Sequence, residues 1–140
     1  MNYPTTVNHP TKTLLIVDRG ETRQLTYSPI LAGFNVAYLV ATKEPNIIVW
    51  VQQHQPDLII LDLDWSQVKY QQWISALRLD WLTRSIPILA IVNSTAQKLG
   101  SAQNLDYNAC LFEPYSLAEL EKSICSLVPI PACILPEVAV

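Results

Sequence analysis

One stretch, residues 56–65 (PDLIILDLDW), limits what this chain can fold into more than any other. A Pro-Asp turn signal leads into four unbroken apolar residues, and Asp62 and Asp64 follow. An apolar run of that length fits a strand buried on both faces, as in a parallel sheet covered by helices. Open sheets of this kind collect their ligands at the carboxyl ends of the strands, which is where this run turns acidic.

The chain is long enough for about one domain, which buries roughly 68–70% of its unfolded surface without needing a disulfide or a metal. Half of its residues are hydrophobic and only 15% are charged, a balance that argues against disorder. The formal charge is -3 and the nine Lys and Arg are scattered, so there is no basic stripe for nucleic acid. Cys110, Cys125 and Cys133 show neither CxxC nor zinc-ligand spacing, and are expected to be buried thiols in a reducing compartment. The first residues, MNYPTTVNHPTK, lack the apolar core of a secretory signal, and no stretch reaches the ~20 apolar residues of a membrane span. A cytoplasmic protein is the expectation.

The hydrophobic pattern divides the chain into a leader (1–11), one domain (12–128) and an apolar, proline-rich tail or linker (129–140). Strands are expected at 13–17, 35–40, 57–62, 86–92 and 109–112. Between them fall helical stretches. The first opens at Glu21 and is cut short by Pro29. The second is capped by Thr42, with Glu44 and Pro45 in its first turn. The third spans 68–79 with Trp73, Ile74 and Leu77 inward. A weaker fourth runs over 95–103 with Leu99 as its one large apolar residue, which marks it as the most mobile. The last begins at a capping box, Ser116 with Glu119, and carries Leu117, Leu120, Ile124 and Leu127 on one side. Five alternations of strand and helix imply right-handed crossovers, an α/β class and a five-stranded parallel sheet with five helices on its two faces.

On these residues the chain resembles the receiver domain of two-component response regulators. The resemblance rests on LLIVD at 14–18, PDLIILD at 56–62, Leu77-Arg78, DWLTRSIPILAI at 80–91 and Glu113-Pro114-Tyr115, and covers roughly residues 12–127. It implies a flavodoxin-like doubly wound sheet with strand order 2-1-3-4-5. It also implies a function. In that family a phosphoryl group passes from a histidine kinase to an aspartate at the end of the third strand, the position of Asp62. An acid pair after the first strand helps to hold the Mg²⁺ that neutralises the transferring group.

Several stations of that chemistry are altered. Asp18 matches the first acid of the pair, but the second is matched by Arg19, which brings positive charge and no lone pair to a cation site. The hydroxyl residue at the end of the fourth strand is matched by Val92, the switch aromatic of the fifth by Cys110, and the lysine before the following proline by Glu113. The loop after Asp62 lacks the family's usual Pro and Gly, although Asp64 still occupies the position whose carbonyl would face the metal. Arg19 and Glu113 together reverse the family's acid and lysine, so Arg19 is expected to pair with Asp62 and Glu113 without metal or phosphate.

The resulting expectation is a non-enzymatic pseudo-receiver that signals through a protein partner, such as a histidine kinase or an output domain, with no cofactor. The alternative is a receiver still phosphorylated on Asp62, with Asp18, Asp62 and Asp64 holding Mg²⁺ weakly. A third reading, a small-ligand or redox domain using Cys110, stays open. Homodimers are common in the family, and nothing in the sequence compels one. Neither His9 nor His54 belongs to a motif, and no G-x-G-x-x-G or Walker loop exists among three glycines. Trp65 borders the site, and an exposed indole there could anchor a partner.

Overall fold

The computed structural model describes residues 11–20, 29–43, 46–93, 100 and 104–129. Five parallel strands, β1 (Lys12–Asp18), β2 (Phe34–Val40), β3 (Leu58–Asp62), β4 (Ile88–Val92) and β5 (Ala109–Phe112), form one sheet in the order β2-β1-β3-β4-β5. This is the doubly wound arrangement expected from the sequence. β3 lies at the centre with all five residues buried, and β4 is equally enclosed. Both lack polar alternation because both of their faces are covered.

Successive side chains along the strands serve opposite sides. Leu15, Val17, Ile59, Leu61, Ile88 and Ala90 pack toward α1 (Ile47–His54) and α2 (Val68–Leu79). Leu14, Ile16, Leu58, Ile60, Leu89 and Ile91 pack toward α3 (Leu117–Leu127), where Leu120 and Ile124 are fully buried. Among the described residues there are three α-helices and two short 3-10 turns. Residues 21–28, 94–99 and 101–103, which hold most of two expected helices, lie outside the description, as do residues 1–10 and 130–140 with His9 and most of the tail.

The capping box forms as its sequence requires. Ser116 Oγ accepts from the Glu119 amide at 3.0 Å, and Glu119 Oε1 accepts from the Ser116 amide at 2.9 Å. Pro29 opens the 3-10 turn Pro29–Gly33, at a first position that needs no amide donor.

α1 departs from expectation. Thr42 does not cap it, because Ala41–Lys43 forms a separate 3-10 turn. Asn46 is the cap, its side chain accepting from the Val49 amide at 3.2 Å. β4 starts at Ile88 instead of Ile86; Pro87 has no amide to give, and its carbonyl accepts from Ile59 at 3.0 Å. In α2 the inward residues are Tyr70, Ile74 and Leu77, while Trp73 is half-buried and meets the Tyr70 ring edge-on at 4.9 Å.

The cysteines also need correcting. Cys110 is a free, half-buried thiol, but Cys125 is disulfide-bonded, so three reduced thiols is wrong. Cys133 lies outside the described residues.

At the amino edge of the sheet, Arg78 ties three segments together. Its guanidinium donates to the carbonyls of Asp106 (2.8 Å), Arg84 (3.0 Å) and Ile86 (2.8 Å) and to Asn108 Oδ1 (2.6 Å). Burial lowers its pKa, with Asp106 acting in the opposite direction. No helix among the described residues is long and apolar enough to cross a membrane.

Candidate functional site

The pairing of Val17 with Leu61 brings the carboxyl ends of β1 and β3 side by side, so Asp18 and Asp62 leave the sheet next to each other. Both are buried, Asp62 at 1% exposure, although each carries a carboxylate. A carboxylate in that setting must be hydrogen-bonded or paired.

Asp18 is satisfied by its own surroundings. Its Oδ1 accepts from the Gly20 amide at 2.7 Å, and its Oδ2 accepts from the Tyr38 hydroxyl, which reaches over from β2. Gly20 makes the first bond possible. Its φ of +91° is left-handed, and a Cβ there would lie 3.1 Å from Val40 Cγ1.

Arg19 turns inward. Its Nη2 lies 3.6 Å from Asp62 Oδ1, a separation for an ion pair but too long for a hydrogen bond. The Arg19 side chain is 28% exposed, and its buried Nε makes no hydrogen bond. The ion pairs among the described residues include Arg19 with Asp62 and not Arg19 with Glu113. Glu113 is half-buried, and its amide donates to the Val92 carbonyl at 2.8 Å.

Two of the remaining stations lie on β4 and β5. Val92 is fully buried at the end of β4. Cys110 lies beside Ala90 in the sheet, with the Tyr107 side chain as a neighbour. Burial, then this thiol neighbour, raises the Tyr107 pKa.

The loop after β3 is closed on itself. The Asp64 carbonyl accepts from the Gln67 amide at 3.0 Å. Its carboxylate accepts from Ser66 Oγ (2.6 Å), the Ser66 amide (3.1 Å) and Gln67 Nε2 (3.3 Å). The Ser66 hydroxyl is the main reason its pKa is lowered. Trp65 overturns the expectation of an exposed partner anchor. It is fully buried, and its Nε1 donates to the Ile91 carbonyl at 2.8 Å. Gln71 Nε2 holds the Trp65 carbonyl at 2.7 Å. The indole therefore fastens the loop to the end of β4, because a large aromatic with one donor is satisfied there on both counts.

Mg²⁺ needs near-octahedral oxygen ligands. Both Asp18 oxygens and the Asp64 carbonyl already accept protein hydrogen bonds, and a fixed cation stands beside Asp62. No cluster of three or more His, Cys, Asp or Glu able to hold a metal occurs among the described residues.

Sequence reasoning named Asp18, Arg19 and Asp62, which stand together at the ends of β1 and β3. It missed Tyr38, whose only signal was a tyrosine near the end of the neighbouring strand, and it misjudged Trp65.

No family model and no curated protein matches the chain. Solved structures do. The chemotaxis response regulator CheY4 of Vibrio cholerae aligns with a TM-score of 0.68 at 19% identity, over 85% of this chain and 100% of that one. A signal receiver domain from Clostridium thermocellum gives 0.65 at 20% identity, over 85% and 98%. The fold is that of a receiver domain. A third likeness is the receiver domain of a sensor histidine kinase from Pseudomonas aeruginosa, with a TM-score of 0.64 at 17% identity over 84% and 98%. That structure carries a magnesium ion in its active-site cleft. In this chain Asp18, Arg19 and Asp62 stand at the carboxyl end of the sheet.

Proposed function

We propose that this receiver fold is a cytoplasmic signalling module that acts by contact with a protein partner, such as a histidine kinase or an output domain. In this reading Arg19 is a resident counter-charge that replaces the Mg²⁺-assisted phosphoryl cycle. The observation that carries it is the inward turn of Arg19 onto buried Asp62. A guanidinium beside the acid neutralises it permanently, whereas a metal would do so only when bound. Two other features support it. Val92 has no hydroxyl to donate to a phosphoryl oxygen, and Glu113 puts negative charge where the family pattern has a lysine. With Trp65 and Asp64 fixing the adjoining loop, signalling would come from a partner recognising a set surface.

The test is incubation with Mg²⁺ and acetyl phosphate, read by intact mass. The mass is expected to stay unchanged. A gain of one phosphoryl group that disappears in Asp62→Asn would establish the phosphorylated reading instead. Arg19→Asp, run in parallel by calorimetry, is expected to bind Mg²⁺ where the parent chain does not.

A further inference from the structure

Among the described residues β2 is an outermost strand of the sheet, with β1 as its neighbour. Edge strands in natural proteins are kept short, bulged, or marked by Lys or Pro, because open backbone groups otherwise pair with another chain. β2 has none of these safeguards. It runs for seven residues, Phe34–Val40 (FNVAYLV), with no charge and no proline, and it matches β1 residue for residue without a bulge. The strand at the other edge, β5, has four residues and passes directly into Glu113 and Pro114.

The side chains of β2 divide between the two faces of the sheet. Val36 and Tyr38 stand in register with Leu14 and Ile16, on the α3 face, yet they are 42% and 41% exposed. Asn35, on the other face, is also exposed, whereas Ala37 and Leu39 pack against the core there. The Tyr38 hydroxyl donates to Asp18, so its ring is held in place while part of it faces water. Beside the outer backbone of the strand lies an apolar strip of one valine and one tyrosine.

We propose that the outer edge of β2 is a self-association surface, where a second copy of the chain adds its own β2 antiparallel and joins the two sheets edge to edge. A two-fold axis perpendicular to the sheet makes the identical strands antiparallel and keeps each face continuous across the junction. Only one symmetric register pairs the whole strand, and it is centred on Ala37. In that register Val36 of each copy opposes Tyr38 of the other, and Asn35 opposes Leu39. The apolar strip is therefore its own complement. Val36 and Tyr38 meet twice as a β-branched and aromatic cross-strand pair, a favourable class. Because β2 is uncharged, no like charges are brought into opposition. A foreign strand would have to match this length, neutrality and alternation, whereas a second copy does so by identity. A single strand edge is a small interface, so the dimer is reversible and its population rises with concentration.

Light scattering on the full chain, from micromolar to millimolar concentration, tests this. The parent mass is expected to rise from 15.8 kDa toward twice that value, and Val36→Lys is expected to stay at 15.8 kDa throughout. The two added lysines would be diagonal neighbours across the axis, roughly 7–8 Å apart, and would repel each other. Val36 is exposed, so the variant should keep the circular dichroism of the parent. A photo-crosslinking amino acid in place of exposed Asn35 gives a second reading that adds no charge. Irradiation is expected to join two chains through the tryptic peptide of residues 24–43 in each. A mass of 15.8 kDa at every concentration, a dimer that persists in Val36→Lys, or crosslinks between chains only through other peptides would each overturn the proposal. None of these outcomes depends on whether Asp62 accepts phosphate.

Discussion

At the scale of single residues, the energetics of the site rest on one cation among buried acids. Arg19→Met removes the guanidinium that lies 3.6 Å from Asp62. Stripping one partner from a fully buried pair costs 3–5 kcal/mol, and the partial exposure of Arg19 reduces this to about 1–3 kcal/mol. Asp62→Asn removes the charge that needs the pair, so Arg19→Met in that background should cost less. A double-mutant cycle in urea is expected to show a coupling of about 1 kcal/mol, and a coupling near zero would mean that the two side chains are neighbours without being partners. This pair was legible in the sequence because LLIVD and PDLIILD end in register and Arg19 directly follows the first. Tyr38 was not legible. The expected strand order already set β2 beside β1, but the link from Tyr38 to Asp18 depends on the reach of one side chain, which is not written in residue spacing.

At the scale of elements, what matters is how loops are fastened to the sheet. Trp65 pins the β3–α2 loop to β4 through the Ile91 carbonyl. Trp65→Phe keeps most of the apolar bulk but leaves that carbonyl without its indole donor, at an expected cost of about 1–3 kcal/mol by chemical denaturation. Its burial could not be read from sequence, since a Trp beside Asp64 and Ser66 looks like a surface loop until the end of β4 is placed next to it. Thr42 misled for a related reason. Two good caps lay four residues apart, and the one chosen by the fold, Asn46, is the one next to the first buried residue of α1, Ile47. A second fastening depends on pH. Asp80 joins α1 to the loop after α2 by accepting from Gln52 and from the Leu82 amide, and these bonds, Gln52 foremost, lower its pKa from that of an ordinary aspartate. A depressed acid stabilises the fold above its unfolded pKa and loses that contribution as pH falls through the folded value. The Asp80 carboxyl resonance should therefore titrate at lower pH in the parent chain than in Gln52→Ala and move together with the Leu82 amide, whereas the same midpoint in both would mean that the bridge is absent in solution.

At the scale of the whole molecule, the fold was readable because two features agree along the chain. Unbroken apolar runs mark the doubly covered strands β3 and β4, and helical spacing returns between strands, which leaves few topologies open. The chemistry was harder to read, because a receiver fold carries its function in a few side chains at one edge and the sheet would form equally well around others. That separation leads to a prediction for the entire domain. A ligand that binds only the folded state adds RT ln(1 + [L]/Kd), or about 2.7 kcal/mol at a hundred times its Kd. For a chain of this size that is on the order of 10 °C in Tm. With Arg19 beside Asp62 and the Asp18 oxygens already engaged, Mg²⁺ should leave the Tm of the parent chain unchanged. Arg19→Asp adds a third acid to the same edge, so without metal it should melt below the parent, and saturating Mg²⁺ should raise its Tm by several degrees. A parent chain that gains as much from Mg²⁺ as the variant would show that Arg19 yields its place to the metal, and the resident-cation reading would fail.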